Sequence, residues 1–240
     1  MTEVAGYTAA QVRAAEAPSL AAGLPLMRRA ATALAAVVRE RLVERADMRQ
    51  AGDRARVLAL VGPGNNGGDA LFAVAELGAE GVEVVVIPVV PEKVHAEGLA
   101  AALSAGATTV AAGSTALEVL LPTADVVIDG LFGTGSAGRP DLALRGPARE
   151  VVGQLLAVAA PERPTVVAVD IPSGIDADTG AVPDDCVLPA DVTVTFGGVK
   201  AGLLLPPASA LAGEIRLVDI GIGDELARHT PVLRAELPSR

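Results

Sequence analysis

The chain has 240 residues, 51% hydrophobic and 20% charged, enough to bury a large core as one α/β domain. Aromatic residues make up 2%, with no Trp, and the net charge is −10, which sets aside a nucleic-acid binder that stacks bases on aromatic faces beside a basic groove. A single cysteine, Cys186, excludes an intrachain disulfide, and two scattered histidines, His95 and His229, give no zinc-ligand spacing.

The amino terminus lacks a charged-then-apolar leader. Arg28 and Arg29 interrupt the apolar stretch from Leu20 to Val38, so neither export nor membrane spanning is expected, and a cytoplasmic protein is. Residues 1–56 hold nine of the nineteen Lys and Arg against six acids, which reads as the solvated face of a long helix. From Leu20 to about Gln50 strong helix formers predict a helix pair or one long helix. Val57 to Val61 is a short apolar run, as expected of a strand covered on both faces. A glycine-rich loop follows, then a helix from about Gly68 to Leu77. Further strands are predicted over Glu83–Val90, Asp125–Asp129, Thr165–Asp170, Asp191–Phe196 and Glu214–Ile220, with helices over Glu92–Ser104 and Gly146–Ala160. Alternation of this kind implies a three-layer α/β/α arrangement with a mainly parallel central sheet. Residues 1–222 read as a single domain, with 1–56 as its helical amino-terminal part and 223–240 as a polar tail or the start of a linker.

Four of the strand-like runs end in loops rich in glycine and oxygen-bearing side chains, and loops at the carboxyl ends of parallel strands line one crevice. The first, Gly62-Pro63-Gly64-Asn65-Asn66-Gly67-Gly68-Asp69, has the three-glycine spacing of dinucleotide sites between a strand and a helix. Pro63 and the paired asparagines are atypical of that fingerprint, no acid ends the second strand, and the lysine of a P-loop is missing. Gly67 and Gly68 let backbone amides approach an anionic group at the helix start; the alternative is a tight turn in which Asn65 or Asp69 caps the helix.

The second loop, Gly133-Thr134-Gly135-Ser136-Ala137-Gly138-Arg139, repeats the spacing without an immediate helix and reads as wrapping a ligand. Its Arg139 either pairs with phosphate through its planar fork or faces solvent, and Asp129 before it is either functional or a buried carboxylate satisfied by loop amides. Asp170 ends the third run at the crevice floor, a placement suited to acid–base work. Ser173 has no histidine partner for nucleophilic catalysis, and Asp176 and Asp178 read as solvated loop acids. Asn66, Asp129 and Ser173 together offer hard oxygen ligands suited to an alkali or alkaline-earth cation. Lys200, after Gly197 and Gly198, either approaches a phosphate or lays its stem on apolar surface with the ammonium in water.

In order and spacing, Gly62 to Asp69, Asp129 to Gly135, Val169 to Gly174 and Phe196 to Gly202 resemble the NAD(P)H-hydrate epimerase family, also called the YjeF amino-terminal domain family, over most of the chain from about Gln11 to Ile220. The resemblance implies a Rossmann-like domain that interconverts the R and S epimers of hydrated NADH or NADPH, so that an ATP- or ADP-dependent dehydratase, fused to the epimerase in many relatives, can restore the coenzyme. By motif, Asn65, Asn66, Gly67, Gly68 and Asp69, with Gly133 through Arg139, would contact the substrate. Asp170 would lie at the reacting ring, and Asn66, Asp129 and Ser173 would hold a potassium ion. A homodimer is open on the same grounds. The chain departs from the family pattern at Ala70, where glycine is usual, and around Leu26 to Ala31. Two other functions compete: a non-catalytic nucleotide-binding module, against which the presence of Asn66, Asp129, Asp170 and Ser173 argues, and a hydride-transferring oxidoreductase, which the end of the second strand does not fit.

Overall fold

A computed structural model describes residues 2–49, 52–136, 142–160 and 162–237. Among the described residues the chain order is β1 (Thr2–Tyr7), α1 (Ala9–Ala21), α2 (Leu26–Glu44), β2 (Arg56–Val61), α3 (Asn65–Ala79), β3 (Glu83–Pro88), α4 (Ala96–Ser104), β4 (Thr108–Thr109), α5 (Ala116–Leu120), β5 (Val126–Gly130), α6 (Gly146–Leu156), β6 (Thr165–Val169), β7 (Val192–Phe196), β8 (Val199–Lys200), β9 (Glu214–Val218), α7 (Gly223–Leu226) and β10 (Leu233–Leu237).

Strand residues in β2 alternate between two cores, and this places helices on both faces. Val57, Ala59 and Val61 join the cluster built with α2 and α3, whereas Leu58 and Leu60 join the cluster built with α5 and α6. The seven strands in the order β4-β3-β2-β5-β6-β7-β9 are all parallel, so the expected three-layer, Rossmann-like arrangement is the one observed. In α2, Leu26, Ala30, Leu34, Val38 and Leu42 recur at helical spacing and are buried, while Arg39 on the outer side pairs with Glu76 of α3 and with Glu80 just past its end. No single helix among the described residues is long and apolar enough to cross a membrane.

Both chain ends depart from expectation. The helical amino-terminal part opens with a strand, β1, and α1 starts at Ala9 behind a capping box in which Thr8 and Gln11 exchange hydrogen bonds. The stretch expected as a polar tail contains α7 and β10, and β10 pairs antiparallel with β1 while β8 pairs parallel on β1's other side. The cause is alternation. Leu233, Ala235 and Leu237 are partly covered while Arg234 and Glu236 are exposed, so a half-polar composition hides a strand period of two.

Leu34 is fully buried and Val43, on the same helix, is 74% exposed. Leu34→Ala is expected to lower the unfolding free energy by about 2–5 kcal/mol, and Val43→Ala to change it by less than about 0.5 kcal/mol, both read from urea titrations.

Candidate active site

The chain leaves β2 toward β3 and β4, then returns to place β5 on the other side of β2. This reversal opens a crevice beyond the carboxyl ends of the strands, where such sheets bind ligands. α3 begins at Asn65, three residues earlier than expected, with Gly64 at its cap, so neither Asn65 nor Asp69 serves as the cap. The first-turn amides therefore sit at the crevice, where anionic groups are favoured.

Two loops interlock behind that turn. The Gly62 amide donates to the Gly130 carbonyl at 3.0 Å, and a Cβ on Gly62 would collide with the Leu131 carbonyl, so only glycine allows this approach. Asn66, 7% exposed, donates its side-chain amide to the Val169 carbonyl at the end of β6 and packs on Gly133, where any side chain would strike it. One asparagine thus touches the loops after β5 and β6.

Asp129 is fully buried. Its carboxylate accepts from the Ser173 amide at 2.8 Å, the Ser173 hydroxyl at 2.6 Å and the Leu131 amide at 3.3 Å, and the Phe132 amide donates to Ser173 Oγ at 2.9 Å. Burial raises its pKa and the Ser173 and Leu131 donors oppose the shift. Among the described residues no cationic side chain pairs with it. The reading as a carboxylate satisfied by loop amides therefore holds, with Ser173 as its main partner, and it leaves a functional role open. Ser173 Oγ and the Phe132 carbonyl lie beside the uncompensated Asp129 carboxylate, and the Asn66 side chain lies against Gly133 of the same loop, so the oxygens at hand are the hard donors a monovalent cation takes. No cluster of three or more His, Cys, Asp or Glu among the described residues is arranged to hold a metal.

Asp170 is the one non-glycine described residue with a positive φ, at 68°. Its amide donates to the Val194 carbonyl at 2.7 Å, and its carboxylate accepts from Thr195 Oγ1 at 3.1 Å and from the Lys200 ammonium. Neither role expected of Lys200 is the one observed. The side chain is 2% exposed, ion-paired to Asp170, and also donates to the Phe196 carbonyl at 2.9 Å and Thr195 Oγ1 at 3.3 Å. Sequence reading missed this pair, and with it Thr195; the signal was Thr193-Val194-Thr195-Phe196, a buried strand carrying hydroxyls that only a polar interior would explain.

Two further acids face the pair. Asp69 is buried on α3, and burial pushes its carboxyl well above the ordinary carboxylate range, with the charges of Asp170 and Glu16 adding to the effect and Lys200 opposing it. Glu16, on α1, is also raised, chiefly by burial, with Lys200 and Arg13 opposing and Asp170 adding. α1 is thereby a wall of the crevice, since Arg13 donates to the Thr134 carbonyl at 3.0 Å in the loop after β5.

Of the expected substrate contacts, Asn66, Gly67, Gly68 and Asp69 are buried at the crevice, Asn65 is exposed at the start of α3, and Gly133, Thr134, Gly135 and Ser136 continue the loop after β5. Ala137, Gly138 and Arg139 lie outside the described residues. Asp176 and Asp178 are not solvated acids: Asp176 is buried and accepts from the Asp178 and Thr179 amides, and Asp178 accepts from the Ala9 amide at the start of α1. A cavity of about 520 Å³ opens at the opposite end of the sheet, where Arg49 pairs with Asp125 and Arg56 with Glu83, away from all of these groups.

Residues 23–202 match the family described as YjeF-related protein N-terminus. The chain belongs to this family. It is 50% identical to the NAD(P)H-hydrate epimerase of Clavibacter michiganensis subsp. michiganensis, over 96% of this chain and 95% of that protein. It is 47% identical to the NAD(P)H-hydrate epimerase of Microbacterium testaceum, over 98% of this chain and 85% of the relative. The bifunctional NAD(P)H-hydrate repair enzyme Nnr of Mycobacterium tuberculosis is 42% identical over 96% of this chain, which spans 44% of that longer protein. In fold, this YjeF domain is like the crystal structure of yeast ynu0, with a TM-score of 0.57 and 23% identity over 74% of this chain and 72% of that one.

Removing one partner of a buried ion pair strands the other charge. Lys200→Met is expected to cost about 3–5 kcal/mol in urea unfolding, and adding Asp170→Asn to restore a large part of it. For Asp69, a carboxyl that holds its proton more tightly when folded makes stability fall as pH rises from about 4, the ordinary carboxylate value, through the raised one. Asp69→Asn is expected to remove up to about 1.4 kcal/mol per pH unit of that slope, read from unfolding midpoints across pH, while Glu16 keeps its own share in both proteins.

Proposed function

We infer that this chain is an NAD(P)H-hydrate epimerase, an isomerase that interconverts the R and S epimers of hydrated NADH and NADPH. What carries the reading is the meeting of Asn66, Asp129, Asp170 and Ser173 in one crevice at the strand-order reversal, in a chain that is half identical to an epimerase along nearly its whole length.

The first turn of α3, from Asn65 to Asp69, and the loop from Gly133 to Arg139 are the segments that would take the nucleotide, with the positive amino-terminal end of α3 favouring its phosphate. Asn66, Asp129 and Ser173 would hold a potassium ion, whose charge would offset the buried Asp129 and stiffen the two loops that meet there. Asp170 would lie at the reacting carbon. In the substrate, C6 carries a hydroxyl beside the ring nitrogen. Protonation of that hydroxyl breaks the C6–O bond with its electron pair leaving on water, while the nitrogen lone pair forms a C=N bond. Water then adds to C6 from either face, the π pair returns to nitrogen, and a carboxylate takes the surplus proton. The negative charges of the crevice favour the cation between these steps.

Coupling to a dehydratase fits this reading, since the bifunctional Nnr relatives are repair enzymes of which this domain is one part. A cytoplasmic setting and a homodimer belong to the same proposal. The lone free cysteine, Cys186, accords with a reducing compartment.

The test is chromatography of a pure S or R hydrate incubated with the protein. The other epimer is expected to appear faster than it does spontaneously, and more slowly when sodium replaces potassium; nucleotide binding without any such gain would instead favour a non-catalytic module. Asp170→Asn is expected to slow epimerisation by about 10²–10⁴-fold while nucleotide binding persists, and wild-type turnover in that variant removes Asp170 from the mechanism.

A further inference from the structure

Five carboxylates among the described residues are buried: Asp69, Asp125, Asp129, Asp170 and Asp176. Four are satisfied. Asp125 accepts from the Arg56 amide and pairs with Arg49, Asp129 and Ser173 form the network above, Asp170 has Lys200 and Thr195, and Asp176 has the Asp178 and Thr179 amides. Asp69 has no hydrogen bond or ion pair among the described residues, although the charges of Asp170, Glu16 and Lys200 bear on it. At 7% exposure, with neither oxygen fully enclosed, this carboxyl opens only on the crevice and is free to meet a ligand there.

Its position relative to Asp170 is the second observation. Asp69 is carried by the helix after β2 and Asp170 ends β6, with β5 between those strands. The strands that lead to the two acids therefore flank the end of β5, and the two carboxyls lie near enough for the charge of one to bear on the other. An epimerisation by loss and return of a hydroxyl has a matching demand, because the hydroxyl departs from one face of the ring and water enters at the other. A lone Asp170, held by Lys200 and Thr195 on a constrained backbone, would have to serve both faces.

We propose that Asp69 is a second catalytic acid, exchanging the proton on one face of the hydrated ring while Asp170 serves the other. The inference rests on the epimerase reading and divides its chemistry between two groups. With one epimer bound, the Asp69 carboxyl gives its proton to the departing hydroxyl, which leaves C6 as water while nitrogen supplies the C=N pair. Water adds to C6 from the far face, the π pair returns to nitrogen, and the Asp170 carboxylate takes the proton. Asp69 is then one proton short and Asp170 one proton rich, and exchange with solvent restores the start. The other epimer runs the same steps in reverse, from the minor form in which Asp170 holds the proton and Asp69 has lost it. The raised proton affinity of Asp69 supports the donor role.

The experiment follows each pure epimer in oxygen-18 water with wild type, Asp69→Asn and Asp170→Asn. Both variants are expected to epimerise about 10²–10⁴-fold more slowly. Each is expected still to exchange the hydroxyl of one epimer without inverting it, the two variants selecting opposite epimers. Wild-type epimerisation by Asp69→Asn, or exchange into both epimers by that variant, overturns the proposal. Asp69→Glu, which keeps the acid on a longer stem, is measured alongside. It is expected to run at least about tenfold faster than Asp69→Asn, and equal rates for the two assign Asp69 a purely structural part and overturn the proposal as well. A wild type that leaves both epimers at the spontaneous rate overturns the epimerase reading itself, which distinguishes that failure from a failure of the two-acid division.

Discussion

The crevice is organised by one buried carboxylate that has no counter-charge among the described side chains. Asp129 lies at the end of β5 with its oxygens committed to Ser173 and Leu131. A hydrogen bond to a charged group contributes about 1.5–3 kcal/mol, and leaving such a group unmet inside a protein costs more, so the loop after β6 has little freedom once β5 is formed. Ser173 must turn back onto Asp129, which brings Phe132 with it and sets Gly133 against Asn66. Asn66 in turn reaches the last carbonyl of β6. Three loops distant in sequence are thereby locked to one another before any ligand is considered.

Against this rigid side stands a strained one. A non-glycine residue held at positive φ costs on the order of 1–3 kcal/mol, and Asp170 is held there at the end of a strand that is otherwise regular. Its amide bond to Val194 and the ion pair with Lys200 keep it in place. Lys200 has its own ammonium spread over the Phe196 carbonyl and Thr195. β7 and β8 therefore act as a cradle for one carboxylate, which explains why a strand in the sheet interior carries the fully buried Thr195, while the equally buried Thr193 donates to the Ala212 carbonyl instead.

The sheet and most of its helices were legible because continuous apolar runs such as Val57 to Val61 have one economical fate, burial on both faces, and because glycine-bearing turns punctuate them. Asp129 and Asp170 were legible for a related reason, since an acid that closes an apolar run must end up at the strand end, and Asn66 and Ser173 were legible as oxygen donors in the glycine-bearing loops that follow such runs. What escaped was whatever depended on partners far away in sequence. Lys200 looks like any lysine after a glycine pair until Asp170 is set beside it, and Glu16 looks like a surface acid of an alanine-rich helix until α1 is seen over the crevice. α1 itself was obscured because Ala9, Val12 and Ala15 make too short a stripe to announce a buried face. β10 was hidden by its alternating charge.

The pairing of β1 with β10 has a mechanical consequence. β1 leads through Thr8 directly into α1, the helix that brings Arg13 and Glu16 to the crevice, and its other edge lies along β8, which ends in Lys200. The two ends of the fold are thus stitched into a single ribbon braced against the wall of the reaction chamber. Only β1 separates β10 from β8, so a displacement of β10 would bear on a strand one neighbour removed from the lysine paired with Asp170.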